Sequence, residues 1–440
     1  MANAWPARAR IIIYLALVLL PIFIVTIYNL PPPDLFAYNL GRAFALAAFT
    51  IMILQVALAA RVKWIEKPFG LNLTFPFHRN MGVLAALLLL THPFLMVLGG
   101  GGWKLLLGDN TWYIWVGRAA LLLLLINVSL GLWRLPLGLK FETWRQGHNV
   151  SGPLILVLGF VHSWYASVDF TLALMQVLWV GLLGAAAVLY WHHKFYTPAR
   201  LRREPYTVVE VRQEAQDVWT LKFAPPPGQP RFDFLPGQFQ FVTLLRGRGL
   251  PEEEHHFTIS SSPALAGFHT ATIKASGDFT ATIGATQPGD KAVIQAPFGR
   301  FSYLLHPEAR DLVFIAGGIG ITPFMGNLRH MGDVQADRRV LLLYANKSEG
   351  DIVFREELDR IAGGSKPELQ VVHILSRAGE AWEGEKGRLD REKIQRLCGE
   401  RLGRSLFFLC CPPPMTRSLM EILRDLGVPE RRISLEYFSL

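Results

Sequence analysis

The stretch HRNMGVLAALLLLTH, His78 to His92, carries a histidine at each end of an apolar run, with Thr91 just before the second. The separation is 92 − 78 = 14 residues. At 3.6 residues per turn this is just under four turns, so a helix presents both imidazoles on nearly one side, ~21 Å apart along its axis. That distance is most of the hydrocarbon thickness of a bilayer. The pattern recurs in HNVSGPLILVLGFVH, where His148 and His162 are again 162 − 148 = 14 residues apart. Two such helices, face to face, hold two stacked sites with two imidazoles each.

A histidine inside a membrane is costly and reads as functional, with a partner to be named. One reading is an interhelical hydrogen bond. A second is a proton relay, which would more often bring Asp or Glu into the spans, and the apolar runs hold none. The third is haem iron, one b-type haem between His78 and His148 and another between His92 and His162. Two pairs at one identical spacing are hard to obtain from the first reading.

The chain has 440 residues, 51% of them hydrophobic, and a net charge of +9. It is too large and too apolar for one soluble domain. Six runs are long enough to span a membrane, at about 10–28, 38–60, 78–98, 112–134, 148–167 and 172–192. The first has no small-residue cleavage site after its apolar core, and Tyr28, Asn29 and Pro31 to Pro33 read as a loop, so it is expected to be a helix and not a signal peptide.

Arg8, Arg10, Arg61, Lys63, Lys67, Arg79, Arg134, Lys140, Arg145, Lys194, Arg200, Arg202 and Arg203 fall at one side, against little beyond Arg42 and Lys104 at the other. Positive charge marks the cytoplasmic side, so both termini are expected there, in a multi-pass protein of the cell membrane. His78 and His148 then lie at the inner side and His92 and His162 at the outer. His192, His193 and Lys194 read as interfacial residues. Residues 197–205 read as a basic linker able to lie on anionic headgroups. Membrane lipid is therefore an expected partner and nucleic acid is not. Cys398, Cys410 and Cys411 are the three cysteines, without disulfide, zinc or iron–sulfur spacing.

From Tyr206 the period changes to two. YTVVEV, VWTLKF, FQFVTL, HTATIKA and KAVIQAP are short strands divided by Pro, Gly and Asp, which predicts a small antiparallel barrel over 206–309. From about residue 310 strands alternate with helices, namely DLVFIAGG, a helix from Pro323, VLLLYAN, a helix from Ile352, LQVVHIL, a helix near 390–402, SLFFLCC and a helix from Met415. That is a doubly wound parallel sheet. The expected organisation is multidomain, with a transmembrane bundle over 1–196 followed by a barrel and an α/β domain. In AGGIGITPF, Ala316 to Phe324, a glycine-rich turn between strand and helix lets backbone amides approach a phosphate.

EHHFTISSSP (254–263), IKASGDFT (273–280), the glycine turn and FLCCPPPM (408–415) together resemble the NADPH oxidase and ferric reductase family. Those are membrane flavocytochromes whose soluble half is similar to ferredoxin-NADP reductase, and the resemblance covers essentially the whole chain. It implies a six-helix transmembrane bundle holding two b-type haems, an antiparallel β-barrel FAD domain and a doubly wound NAD(P)-binding domain. It implies further that His255, Phe257, Thr258, Ile259, Ser260 and Ser261 hold the flavin, with Phe257 packed on the ring and the Thr258 hydroxyl near its reactive nitrogen. His255 stands where related soluble reductases have Arg, and His256 where Pro is usual. Lys274 and Thr280 match contacts to the FAD pyrophosphate. Gly317, Gly318, Gly320, Thr322 and Pro323 match the nicotinamide dinucleotide site, and Cys410 and Pro412 a Cys-Gly-Pro motif in which Cys411 replaces the Gly.

Lys347 and Arg377 are candidates for a 2′-phosphate, favouring NADPH over NADH. Family members close with an aromatic residue on the flavin face, and Phe438 is the candidate, with Tyr437 next. On this resemblance NAD(P)H gives a hydride to FAD and single electrons leave through the two haems to an outer acceptor. The acceptor expected first is O2, giving superoxide, with Arg42 as a stabilising cation or a plain interfacial arginine. Met96 stands one turn beyond His92, where some oxidases have another His. A ferric-chelate reductase and a relay subunit feeding a protein or quinone are the alternatives.

Overall fold

In a computed structural model of the chain, residues 5–28 and 35–437 are described. They divide into two compact units close to residue 196.

The first unit is helical, with α1 (Trp5–Ile27), α2 (Phe36–Ala59), α3 (Lys63–Phe69), α4 (Leu71–Met96), α5 (Lys104–Leu107), α6 (Trp112–Leu132), α7 (Phe141–Ala166) and α8 (Ala173–Trp191). Leu46, Phe49, Ile53, Ala85, Leu124, Ile155, Met175 and Trp179 form its core. The outward faces are equally apolar, exposing Leu19, Phe23, Leu122, Val177 and Val188. A helix that is hydrophobic all round needs an apolar surrounding. Among the described residues five helices are long and apolar enough to cross a membrane, over Ala7–Ile27, Phe36–Ala59, Leu71–Gly101, Trp112–Leu132 and Ala173–Arg203. The sixth expected span, α7, has the length, at 26 residues. It misses that set because Glu142, Arg145, His148, Asn149, Ser151 and His162 dilute its apolar character.

The second unit opens with α9 (Thr197–Arg203), where the sequence suggested a linker. Six antiparallel strands follow, β1 (Tyr206–Ala215), β2 (Val218–Ala224), β3 (Phe239–Leu245), β4 (Glu254–Thr258), β5 (His269–Lys274) and β6 (Lys291–Phe298). Their order is β4-β3-β6-β1-β2-β5. The two edges approach through an Ile259–Ala271 bridge, and the Ser260 N–H donates to the Thr270 carbonyl at 2.9 Å. Leu221, Phe223, Val242, Leu244, Ala271 and Ile294 fill the inside.

The parallel sheet is β7 (Asp311–Gly317), β8 (Arg339–Asn346), β9 (Glu368–Leu375), β10 (Glu385–Lys386), β11 (Leu406–Cys410) and β12 (Ile433–Glu436), in the order β10-β9-β8-β7-β11-β12. Its helices are α10 (Thr322–Asp333), α11 (Arg355–Ala362), α12 (Arg391–Cys398), α13 (Arg401–Arg404) and α14 (Pro413–Asp425). β7, β8 and β11 are near-continuous apolar runs because helices cover both faces. The helix expected from Ile352 begins only at Arg355. Before it, Ser348 donates from N–H and Oγ to Asp351 Oδ2, at 3.0 and 2.6 Å, and closes a separate turn. Strand order reverses direction between β7 and β11, which opens a crevice at their carboxyl ends.

Barrel and parallel sheet are clamped together by α10. Asn327, 1% exposed, accepts from the Tyr303 N–H at 3.1 Å and donates to Pro323 O at 2.7 Å and Phe301 O at 3.3 Å. Arg329 donates to Ser260 O and pairs twice with Glu357, at 2.8 and 2.7 Å. Asn327→Ala strands a buried donor and acceptor, a cost of about 2 kcal/mol. Thermal unfolding of the full chain should show the second unit melting about 5 °C lower, with the first unit unaffected.

Candidate functional site

The helical unit brings the four singled-out histidines together in pairs. The His78 and His148 rings lie with centroids 6.0 Å apart at an interplanar angle of 76°. A metal between two imidazoles sits about 2 Å from each nitrogen, so this spacing admits one ion between the rings. His148 Nδ1 lies 2.8 Å from Asn127 Oδ1, and the Asn127 amide donates on to Ser151 Oγ. His92 Nδ1 lies 2.9 Å from Gly41 O, and His162 Nδ1 lies 2.8 Å from Tyr113 O. A carbonyl oxygen only accepts, so each of these three Nδ1 atoms carries the hydrogen and each Nε2 keeps a bare lone pair. That is the tautomer a metal-ligating histidine adopts, its outer nitrogen held by a second group.

Helix packing serves this arrangement. A Cβ on Gly117 would stand 2.5 Å from His162 Nδ1, so only glycine lets α6 close on that ring. Trp144 stacks on His148 at 5.2 Å. The chemistry of these donors fits haem iron at both depths, held by His78 with His148 and by His92 with His162. Asn127, Gly41, Tyr113 and Gly117 were missed from sequence. Only Asn127, a lone amide in LLLLLINVSLGL, left a signal there.

Arg42 is not an open cation. It is 8% exposed and pairs bidentately with Asp169, itself 1% exposed, through Nε–Oδ2 at 3.0 Å and Nη2–Oδ1. Asp169 lies between the fifth and sixth expected spans and drew no reading from the sequence. Arg118 adds a cation near Lys104 that the charge count overlooked, and it donates to the Lys104, Leu105 and Gly108 carbonyls. Met96 borders Gly41.

In the second unit, His255, Phe257 and Thr258 lie on β4, in regular register with β3. His255 stacks on Phe279 at 4.1 Å and its Nε2 lies 3.0 Å from Glu253. His256 packs against Phe239 and Phe241, so replacing Pro leaves the strand undistorted. Ile259, Ser260 and Ser261 are buried. Their hydroxyls are used within the fold, Ser260 Oγ with Thr270 and Thr272 at 2.9 and 3.0 Å, and Ser261 Oγ accepting from the Thr270 N–H. Lys274 pairs with Asp217 at 3.2 Å and Asp351 at 3.8 Å. Thr280 Oγ1 accepts the Ser276 and Gly277 N–H groups, each at 2.9 Å. Both expected pyrophosphate contacts are thus engaged locally, although a half-exposed lysine pair is weak and exchangeable.

The switch-point crevice gathers the dinucleotide candidates. Gly317 ends β7, Gly318 follows it with φ +56°, then Gly320, and Thr322 and Pro323 start α10. A Cβ on Gly317 would meet Pro412 Cδ at 2.7 Å and Cys411 Cα at 3.3 Å. Cys410 registers beside Ala316 on one flank and Glu436 on the other. Cys411 is turned into the core, with Sγ 3.4 Å from Ile315 O. Lys347 and Arg377 are exposed neighbours at the ends of β8 and β9, with the Arg377 N–H donating to Lys347 O at 2.7 Å. Phe438 lies outside the described residues, as does the segment 29–34.

Two family models match, ferric reductase like transmembrane component over residues 44–159 and oxidoreductase NAD-binding domain over 314–421. The chain matches the ferric reductase and NADPH oxidase type of membrane flavoprotein. With its apolar helices, it is a multi-pass membrane protein with a ferredoxin reductase-like FAD and NAD(P) half. It is 32% identical over 240 residues to a glycine betaine monooxygenase reductase subunit of Pseudomonas aeruginosa, covering 52% of this chain and 63% of that one. It is 26% identical to NADH-cytochrome b5 reductase 1 of Mycosarcoma maydis, covering 58% and 79%. A nitrate reductase [NADPH] of Emericella nidulans is 32% identical over 174 residues, of which the chain spans only 20% of the length. A flavohemoglobin from Malassezia yamatoensis shares the fold at TM-score 0.51 and 18% identity, covering 91% of this chain and 96% of that one.

Sequence reasoning also passed over Glu436. Burial pushes its carboxyl up to about 8, and the same burial, with Glu436 alongside, pushes the Cys410 thiol well up. Between the ordinary value of 4.5 and about 8 the unfolded chain releases this proton and the folded chain keeps it. Stability therefore falls as pH rises through that window and levels off above it. Glu436→Gln should flatten that part of the pH profile of thermal unfolding. Parallel profiles for both proteins between pH 5 and 8 would mean that Glu436 is ionised throughout.

Proposed function

We propose that the chain is a transmembrane NAD(P)H oxidoreductase of six spanning helices, passing electrons from cytoplasmic NAD(P)H to an acceptor at the outer side, with O2 giving superoxide as the first reading. The observation that carries it is the set of three imidazoles with Nδ1 engaged and Nε2 bare, in the same chain as a flavin and nicotinamide half. The flavin supplies conversion of a hydride into single electrons, and the haems supply one-electron passage through lipid.

The rest is work for side chains. α7 is the sixth span in this reading, supported by its exposed Val150, Leu154 and Val157 on one stripe. His78 and His148 hold the inner group, His92 and His162 the outer. The glycine turn receives the dinucleotide phosphates, His255, Phe257 and Thr258 line the flavin, and Cys410 with Pro412 bounds the nicotinamide. Lys347 and Arg377, adjacent and exposed, favour NADPH. Reduction of chelated ferric iron is the second reading, supported by the ferric reductase like match.

Anaerobic mixing of the detergent-purified protein with NADPH should bring up reduced b-type haem bands, and admitting oxygen should discharge them with trapped superoxide. Ferrous iron formed from ferric chelate at a faster rate would favour the second reading. His92→Leu should remove the outer step while flavin reduction survives, and unchanged acceptor reduction would refute the haem assignment. Arg377→Ala removes a charge-assisted contact, so KM for NADPH should rise roughly tenfold or more while KM for NADH hardly moves.

A further inference from the structure

Arg42 and Asp169 are opposite charges withdrawn almost completely from water, 8% and 1% exposed. A buried ion pair gains little stability over well-packed apolar residues, so its presence asks for another reason. Its connections supply one. Arg42 follows Gly41, whose carbonyl takes the His92 Nδ1 hydrogen. Asp169 lies 169 − 162 = 7 residues after His162, in a 3-10 turn (Val168–Thr171) where Ser167 Oγ accepts the Asp169 N–H at 3.2 Å. Gln176 donates to the Phe170 carbonyl at 2.7 Å and Phe170 packs on Trp164 and Trp179, which fixes the turn from the other side. The pair therefore ties the helix end behind His92 to the helix end behind His162.

We propose that Asp169 is a positioning residue for the outer imidazole pair. It holds Arg42, and through it the registration of Gly41 with His92 and of α7 with α2. It also cancels the Arg42 charge beside the group those imidazoles hold. This rests on the di-haem reading. A nearby cation favours electron uptake, so a neutralised cation keeps the reduction potential of the outer centre low. The inner centre, ~21 Å away along the helices, should feel little of it.

The test is an optical potentiometric titration of the haem bands in the full-length protein, with low-temperature EPR of the oxidised haems alongside. Asp169→Asn should raise one of two midpoint potentials and leave the other in place. Arg42→Gln should lower the same one, and the double variant, which restores neutrality, should return it towards the wild type. Asp169→Glu, which keeps the charge, should stay close to the wild-type potential and serves where the Asn variant fails to assemble. Unmoved potentials in Asp169→Asn, both single variants shifting in one direction, or a double variant displaced as far as Asp169→Asn would overturn the proposal. A wild-type sample without a bis-imidazole haem spectrum would instead refute the di-haem reading, a distinct outcome.

Discussion

A polar atom taken out of water inside a membrane is costly unless it finds a partner within the protein. Three of the four imidazoles of the helical unit have one, while His78 Nδ1 finds none among the described residues. His92 and His162 each direct Nδ1 at a main-chain oxygen, of Gly41 and of Tyr113. Both oxygens belong to the first two turns of their helices, where the carbonyl is already committed within the helix and offers its second lone pair. Such a bond forms only if helix axes come close, and Gly117 permits that against His162. The hydrogen-bond requirement, the small residue and the freed Nε2 are thus one constraint seen three ways.

A different economy governs the second unit. There the polar side chains near the flavin motif are mostly consumed by the fold, as with the Ser260 and Ser261 hydroxyls and the Thr280 cap. Glycines instead keep space open at the β7–β11 switch point, where, on the proposed reading, main chain rather than side chain meets the dinucleotide. Gly317 is pinned between that role and the close approach of Pro412. The α10 clamp holds the glycine turn in fixed relation to the segment that follows Thr258, a rigidity that the proposed hydride transfer would demand.

The local periodicities were legible in the sequence because they are local. The 14-residue histidine spacing, the alternation from Tyr206 and the buried strands of the parallel sheet all read directly from neighbours along the chain. Partnerships across the chain were not. Asn127 meets His148 over 21 residues and Arg42 meets Asp169 over 127, and no periodicity announces either. Asp169 was hidden because a single acid between two apolar runs looks like a loop residue. Lys274 and Thr280 were read through a resemblance that specifies residue types, whereas their engagement with Asp217 and the Ser276–Gly277 turn depends on this chain.

On the proposed six-span reading, α7 shows why apolar length alone undercounts spans. It carries two of the four imidazoles, yet it is the long helix that composition sets apart from the membrane-spanning five. Three of its polar groups are satisfied from outside itself: His148 by Asn127 and His162 by Tyr113 on α6, and the Asn149 carbonyl by Tyr190 on α8 at 2.7 Å. A helix with polar groups answered by its neighbours is less stable alone in lipid than once packed. On that reading, insertion of α7 depends on its packing against α6 and α8, which supply partners for the polar residues of the candidate site.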